Sequence, residues 1–190
     1  MKVLPILFNT EMVLAIENGK KVTRRCIKPQ PETFGQAFIF SNGIYARNAV
    51  TKNAPYHKGD ILYVREAYRE NKNGYLYRAD FAKDGIESAI RWKPSLHMPK
   101  KAARIWLRVM NVRFEKLNDI SEEDAKAEGA NLKKGKNIGI QEKMARSSIE
   151  RFAEIWDSTI KESDLKTYGW NANPYVWVVE FEPCAQPKEV

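Results

Sequence analysis

Short apolar runs separated by turn residues recur along the whole chain. The runs are VLPILF near the start, then QAFIF, GIYARNAV, ILYVREA and GYLYRAD, the segment from about Ala103 to Phe114, and NPYVWVVEFEP at the end. Residues that favour turns lie between them, as in Ser41-Asn42-Gly43. Many strands with a few short helices between them predict an α+β fold, with a small β-barrel and helices that cover its ends.

Three segments carry helical signals. Asn9 is suited to cap the helix TEMVLAIENG, which Gly19 ends, and Ser121 is suited to cap DISEEDAKAEG, which Gly129 ends. A long amphipathic helix is predicted towards the C-terminus, in IQEKMARSSIERFAEIWDSTI, from the spacing of Met144, Ile149, Phe152, Trp156 and Ile160. Because the 190 residues contain no repeat and no domain-sized linker, we expect one domain over residues 1–190.

The chain lacks the sequence signals of membrane proteins, secreted proteins and metalloproteins. No apolar run approaches the roughly 20 residues of a membrane span, and polar residues interrupt the apolar N-terminal segment. The two cysteines, Cys26 and Cys184, lie far apart, and with His57 and His97 they give no metal-binding spacing. We therefore expect a cytoplasmic protein with reduced thiols, no membrane partner, no metal and no cofactor.

Cations concentrate in two runs that contain no acidic residue. The chain has 32 Lys and Arg against 24 Asp and Glu, a net charge of +8. One run is GKKVTRRCIKP, from Gly19 to Pro29, and the other lies within PKKAARIWLRVMNVRF. An excess of this kind favours an acidic partner, which we expect to be RNA, with DNA as an alternative.

The second run alternates in character, since apolar residues at 105, 107 and 109 interleave with Arg104, Trp106 and Arg108. This pattern predicts a strand with one basic and aromatic face. Exposed cations contribute little to stability, so replacing Arg104 and Arg108 is expected to weaken binding and leave the fold intact. The candidate nucleic-acid contacts of the whole chain are Arg24, Arg25, Lys28, Arg65, Trp92, Lys93, His97, Lys100, Arg104 and Arg108.

Several other residues have two interpretations. Trp92, Tyr75 and Tyr77 can stack on unpaired bases, or they can be core aromatics. A lysine-rich loop either closes over a polyanion or is a solvated loop, and it contains Lys133, Lys134 and Lys136.

The order of motifs resembles the ASCH domain, a member of the PUA-like superfamily, and in particular the ASCH-like proteins of phages and prophages. The matching segments are LPILF, EMVLAIENGKKVTRR, KGDILYVRE, DISEEDAKAEG and VWVVEF, which span nearly the whole chain. The resemblance implies a PUA-like β-barrel and RNA-related work. Some small members of the family are amidohydrolases that deacetylate 4-acetylcytidine with a Lys-Thr-Glu constellation.

The family motif G-x-K-x-x-T-x-R assigns two of these three residues. Lys20, Thr23 and Arg25 fill K-x-x-T-x-R, whereas Gly19 stands next to Lys20, so counting from the glycine selects Lys21. A missing residue is absorbed more easily in a turn than inside a paired strand, which favours Lys20. Alignment of the helix SEEDAKAEG places the glutamate at Glu128.

General chemistry is consistent with that constellation but does not require it. A threonine hydroxyl becomes a nucleophile when a base takes its proton, and a lysine can act as that base if burial or nearby positive charge lowers its pKa. A carboxylate such as Glu128 can then shuttle a proton. The alternatives are a phosphate-binding lysine, a structural threonine and an ion-paired glutamate. Three functions remain open: a binding protein, an amidohydrolase, and a ribonuclease whose base is a residue such as His97 or a lysine near the phosphate.

Overall fold

The computed structural model describes residues 1–82, 85–86, 89–130 and 147–188. Along these residues the strands are β1 (Val3–Leu7), β2 (Val22–Cys26), β3 (Glu32–Phe34), β4 (Ala37–Phe40), β5 (Gly43–Ala46), β6 (Ile61–Arg65), β7 (Tyr68–Asn71), β8 (Gly74–Tyr77), β9 (Trp106–Lys116) and β10 (Tyr175–Pro183). The α-helices are α1 (Thr10–Glu17), α2 (Arg78–Ala82), α3 (Glu122–Ala127), α4 (Ser148–Ser158) and α5 (Leu165–Tyr168). The predicted mixed α+β class is confirmed, but the described sheets do not close into a barrel.

The chain forms two compact units. The first consists of Met1–Lys21, Tyr56–Asn111 and Glu180–Val190, and the second of Val22–Pro55 and Val112–Val179. Strands β9 and β10 therefore contribute residues to both units. No helix of the described residues is long and apolar enough to cross a membrane.

The first unit has the strand order β1-β6-β9-β10. Strands β1 and β6 are parallel with Val3 opposite Ile61, and β6 and β9 are antiparallel with Leu62 opposite Leu107. The hairpin β7–β8 and helices α1 and α2 complete it. Its fully buried side chains include Ile6, Phe8, Val13, Leu62, Val64, Leu107, Val109 and Phe181.

The second unit has the strand order β9-β10-β2 and a separate antiparallel sheet, β3-β4-β5. One buried cluster lies around helices α3 and α4 and is formed by Val22, Leu117, Ile120, Ala125, Ala130, Phe152, Trp156, Val176 and Val178. A second cluster lies beside the small sheet and is formed by Ile27, Phe38, Val50, Ala54 and Trp177. Most of the pocket described below lies along this second cluster.

The helix starts follow the sequence signals. The Asn9 side chain accepts a hydrogen bond from the Met12 amide, and the Ser121 hydroxyl accepts one from the Asp124 amide. Helix α4 is capped by Ser147 through a reciprocal pair of hydrogen bonds with Glu150. The part of the long predicted helix that precedes Ser147 lies outside the described residues, as do Lys133, Lys134 and Lys136.

Candidate functional site

A pocket of about 460 Å³ lies in the second unit, beside the C-terminal half of the first basic run, Gly19 to Pro29. Arg25 and Cys26 are the last residues of β2, and the chain continues along the pocket as far as Gln30. The other walls come from β4 with the turn after it and from the end of a 3-10 segment, Arg47–Asn53. The lining residues are Arg25, Cys26, Ile27, Lys28, Pro29, Gln30, Ile39, Phe40, Ser41, Asn42, Asn53, Pro55 and Trp177.

Two aromatic rings give the pocket an apolar wall. The rings of Phe40 and Trp177 are nearly parallel, with an angle of 14° and centroids 6.3 Å apart. Trp177 is buried and Phe114 packs against it at 5.4 Å, so the indole is fixed from behind. The half-buried Phe40 ring is the more accessible of the two. Such a wall can hold a planar ligand by stacking.

Two cations lie on the same pocket. Lys28 is half exposed, with its Nζ 4.3 Å from the centroid of the Tyr168 ring and 3.8 Å from Asp164 Oδ2. Arg25 is half-buried on β2. The contact between Lys28 and Asp164 is long and exposed, so it holds the ammonium only weakly. A positive charge is therefore present where an anionic group of a ligand would lie.

The polar residues of the pocket differ in how fully they are bonded. Gln30 Nε2 donates to the carbonyls of Ile27 and Tyr175 at 2.7 and 3.1 Å, and Gln30 Oε1 accepts from the Tyr175 amide at 2.6 Å. These bonds fix the Gln30 side chain in place. Asn53 Nδ2, in contrast, is shielded from solvent and has no hydrogen-bond partner among the described residues.

The thiol of Cys26 also lines the pocket. Burial raises its pKa to about 11, although the positive charge of Lys28 and a hydrogen bond from Gln30 act in the opposite direction. The thiol is therefore protonated at neutral pH and is a poor nucleophile.

We expect Cys26 in the native protein to react with iodoacetamide about 100-fold more slowly near neutral pH than an unfolded cysteine, because its pKa of about 11 lies above the ordinary 9.0. The rate should rise with pH until it levels off near pH 11. Peptide mapping by mass spectrometry, with the denatured chain as control, measures this. Equal rates in the native and denatured chains would contradict the burial of this thiol.

The residues that the family motif selects for catalysis are distributed over both units. Lys20 is almost fully buried in the first unit, where its Nζ lies 6.0 Å from the centroid of the Phe8 ring, and Lys21 is exposed. In the second unit Thr23 is fully buried in β2, and its hydroxyl has no hydrogen-bond partner among the described residues. An activated threonine needs a hydrogen bond between its hydroxyl and a base, and the described residues provide none to Thr23.

Glu128 belongs instead to an ion-pair cluster in the second unit. Arg24 is the centre of this cluster, with a side chain that is 0% exposed. Its guanidinium donates to Glu128 Oε1 at 2.9 Å, to Glu115 Oε1 at 2.7 Å and to Asp124 Oδ2 at 2.8 Å. Arg113 also donates to Glu115 and to Asp124. We call these five residues the Arg24 cluster.

The Arg24 cluster was not predicted from the sequence. Arg24 was predicted to contact nucleic acid, but its buried guanidinium is engaged by three carboxylates and presents no surface to a ligand. One signal was available: Asp124 and Glu128 are four residues apart at α3, so both carboxylates lie on one side of it. Two carboxylates on one side of a helix need a cation opposite them if they are buried, and Arg24 is that cation.

In the first unit, Arg104 is also held by carboxylates. It forms a two-pronged pair with Glu66, Nε to Oε1 at 2.9 Å and Nη2 to Oε2 at 3.1 Å, and its Nη1 donates to Asp80. Burial raises the pKa of Glu66, and the bond to Arg104 opposes that rise. The expected basic and aromatic face differs too, because Trp106 is buried together with Leu107, while Arg104 and Arg108 are exposed.

The remaining predicted contacts of the first unit fall into two groups. Arg65 donates to the Leu96 carbonyl, Trp92 packs against the Phe81 ring, and Lys93 lies near Glu70 and the Tyr68 ring. Lys100, Arg108 and His97 are exposed. Tyr75 and Tyr77 pack against a small core of Tyr68, Met98 and Ala102, which favours the structural interpretation of both tyrosines.

Searches of family models, of curated proteins and of solved structures found no match. The resemblance to the ASCH domain therefore rests on its sequence motifs and stays a prediction. Among the described residues, no group of three His, Cys, Asp or Glu side chains is arranged to hold a metal ion.

Proposed function

We propose that this protein is an ASCH-like, PUA-like protein that binds single-stranded RNA or a modified nucleotide in the pocket of the second unit. The observation that carries the proposal is the joint presence of Arg25 and Lys28 with Phe40 and Trp177 around one cavity. A volume of about 460 Å³ is within the range of small-molecule sites and accommodates a nucleobase with its sugar. The proposed barrel is supported by the order of sequence motifs.

Each part of the pocket has a role in this proposal. An aromatic wall stabilises an unpaired base by stacking, which contributes about 1–3 kcal/mol per base. The guanidinium of Arg25 and the ammonium of Lys28 offset the negative charge of the phosphate that the base carries. The fixed Gln30 and Trp177 keep the pocket in shape without a ligand, which reduces the ordering cost of binding.

Binding is better supported than hydrolysis. An amidohydrolase would need the Thr23 hydroxyl bonded to a base, and that hydroxyl has no partner among the described residues. Glu128 forms an ion pair with Arg24, and its side chain is only 4% exposed. His97, the base considered for ribonuclease activity, is exposed on the 3-10 turn Ser95–His97 of the first unit and does not line the pocket.

The proposal predicts salt-dependent binding that depends on Lys28. Fluorescence anisotropy with a labelled single-stranded RNA should show affinity that falls steeply as salt rises, because each phosphate contact releases counterions. Lys28→Ala should weaken binding and reduce the slope of log K against log salt by about 0.7, the value for one contact to a single strand. Lys161→Ala, an exposed lysine of the same unit outside the pocket, is the matched control.

Alkylation of Cys26 locates the ligand. RNA should slow the reaction of Cys26, which lines the pocket, and leave the rate at Cys184 unchanged. Single-stranded DNA and cytidine nucleotides, run in parallel, define the ligand class. If RNA binds without slowing Cys26, the binding surface lies elsewhere, and if no ligand binds at low salt, the proposed function is wrong.

A further inference from the structure

Asn53 is held firmly at the wall of the pocket by its neighbours in the chain. It is the last residue of the 3-10 segment Arg47–Asn53, and the next residue, Ala54, is buried. The Ala54 amide donates to the Thr51 carbonyl at 3.0 Å. Val50 and Ala54 both belong to the cluster that contains Trp177. The backbone of Asn53 is therefore held by residues on both sides of it, and this does not depend on the side chain of Asn53.

The side-chain amide nitrogen of Asn53 lacks the hydrogen bond that a buried amide usually has. Buried polar groups in folded proteins nearly always have hydrogen-bond partners, and one that has none destabilises the protein. Asn53 Nδ2 is shielded from solvent and unpartnered among the described residues. Gln30, another amide that lines the pocket, is bonded at both its oxygen and its nitrogen. Local rules of this kind are broken mostly at functional sites.

We propose that Asn53 reads the base: its side-chain NH2 group donates a hydrogen bond to an acceptor on the edge of the nucleobase bound in the pocket. This inference rests on the proposed function and assigns selectivity within it. The terminal torsion of asparagine is broad, so the amide can turn towards a ligand without moving the backbone. An asparagine amide, with a donor and an acceptor side by side, matches the paired donor and acceptor atoms of base edges.

Contacts to phosphate and contacts to bases have different signatures, and this separates Asn53 from Lys28. Loss of a phosphate contact weakens binding of all sequences about equally and lowers the salt slope. Loss of a base contact reduces discrimination between sequences and leaves the slope unchanged. Binding of oligo(U), oligo(C) and oligo(A) at several salt concentrations measures both quantities for each variant.

Asn53→Leu is expected to weaken binding of the best homopolymer about tenfold, to level the differences among the three, and to keep the wild-type salt slope. Asn48→Leu, an exposed asparagine of the same 3-10 segment outside the pocket lining, should leave all three quantities unchanged. Asn53→Ala, which adds no branched side chain, serves if the leucine variant does not fold.

The melting temperature of the ligand-free protein separates recognition from a structural role. Removal of an unsatisfied donor should keep or raise it, whereas loss of a structural hydrogen bond would lower it. Unchanged selectivity in the Asn53 variants, or a fall of affinity together with the melting temperature, overturns the assignment. If the wild-type protein binds none of the homopolymers at low salt, the proposed function itself has failed, which is a different result.

Discussion

Arg24→Met is expected to lower the free energy of unfolding by about 3–5 kcal/mol, the usual result of removing one partner of a buried ion pair. The guanidinium of Arg24 is fully buried and bonds to three carboxylates, of which Glu128 is only 4% exposed. Methionine fills a similar volume, so the loss reports mainly on carboxylates left without a counter-charge. Urea denaturation followed by circular dichroism measures the change.

Arg113→Met is the matched control within the Arg24 cluster. Arg113 also bonds to Glu115 and Asp124, but its side chain is partly exposed, so water can replace it, and we expect a loss of about 1 kcal/mol. The paired change Arg24→Met with Glu128→Gln should be less destabilising than the sum of the two single changes, because the two groups interact directly. Equal losses for Arg24→Met and Arg113→Met would contradict the buried position of Arg24.

Arg104→Ala is expected to cost about 1.5–3 kcal/mol of stability, the range for hydrogen bonds to charged groups. Glu66 is 2% exposed at its side chain, and its carboxylate is bonded at both oxygens by Arg104. Arg108→Ala removes an exposed cation four residues further along the same segment and should change stability by less than about 0.5 kcal/mol. Thermal and urea unfolding of the two variants test the difference.

The loss in Arg104→Ala should shrink as the pH falls. Burial already holds the pKa of Glu66 above its ordinary 4.5 in the folded protein, so the folded state favours the protonated carboxyl. The stability that this preference contributes is fully present below 4.5 and is lost as the pH rises through the folded pKa. Without Arg104 that folded pKa rises further. A loss that grows on acidification would show that Glu66 is not the group left unpaired.

The sequence predicted local structure better than the partners of its charges. Helix starts at Asn9 and Ser121 depend on residues three positions away, and both are found as expected. From the sequence, Arg24 and Arg104 looked like unpaired cations because their carboxylate partners lie far away in the sequence, 104 positions for Glu128 and 38 for Glu66. Periodicity along a strand does not show which side chains lie opposite it.

Only the basic side of the pocket was predicted from the sequence, for a similar reason. Its basic side, Arg25 and Lys28, lies in the run that drew attention to nucleic acid. Its aromatic and amide sides come from Phe40, Asn53 and Trp177, in three separate segments that no local pattern connects. The predicted basic and aromatic face of β9 was wrong for a different reason. Alternation along a strand predicts one exposed face only where the sheet is covered on one side. In β9 both Trp106 and Leu107 are buried.

The interleaving of the two units along the chain determines when each can fold during synthesis. The second unit begins at Val22 and needs residues as far as Val179, and Gln30 finds its bonding partner Tyr175 only 145 positions later. The first unit needs residues from Glu180 onward for its strand beside β9. Neither unit can therefore complete its sheet before the residues of β10 have been synthesised. Pairing between strands so far apart in sequence is slow and leaves strand edges of the nascent chain unpaired until then, so we expect slow folding that follows the synthesis of β10.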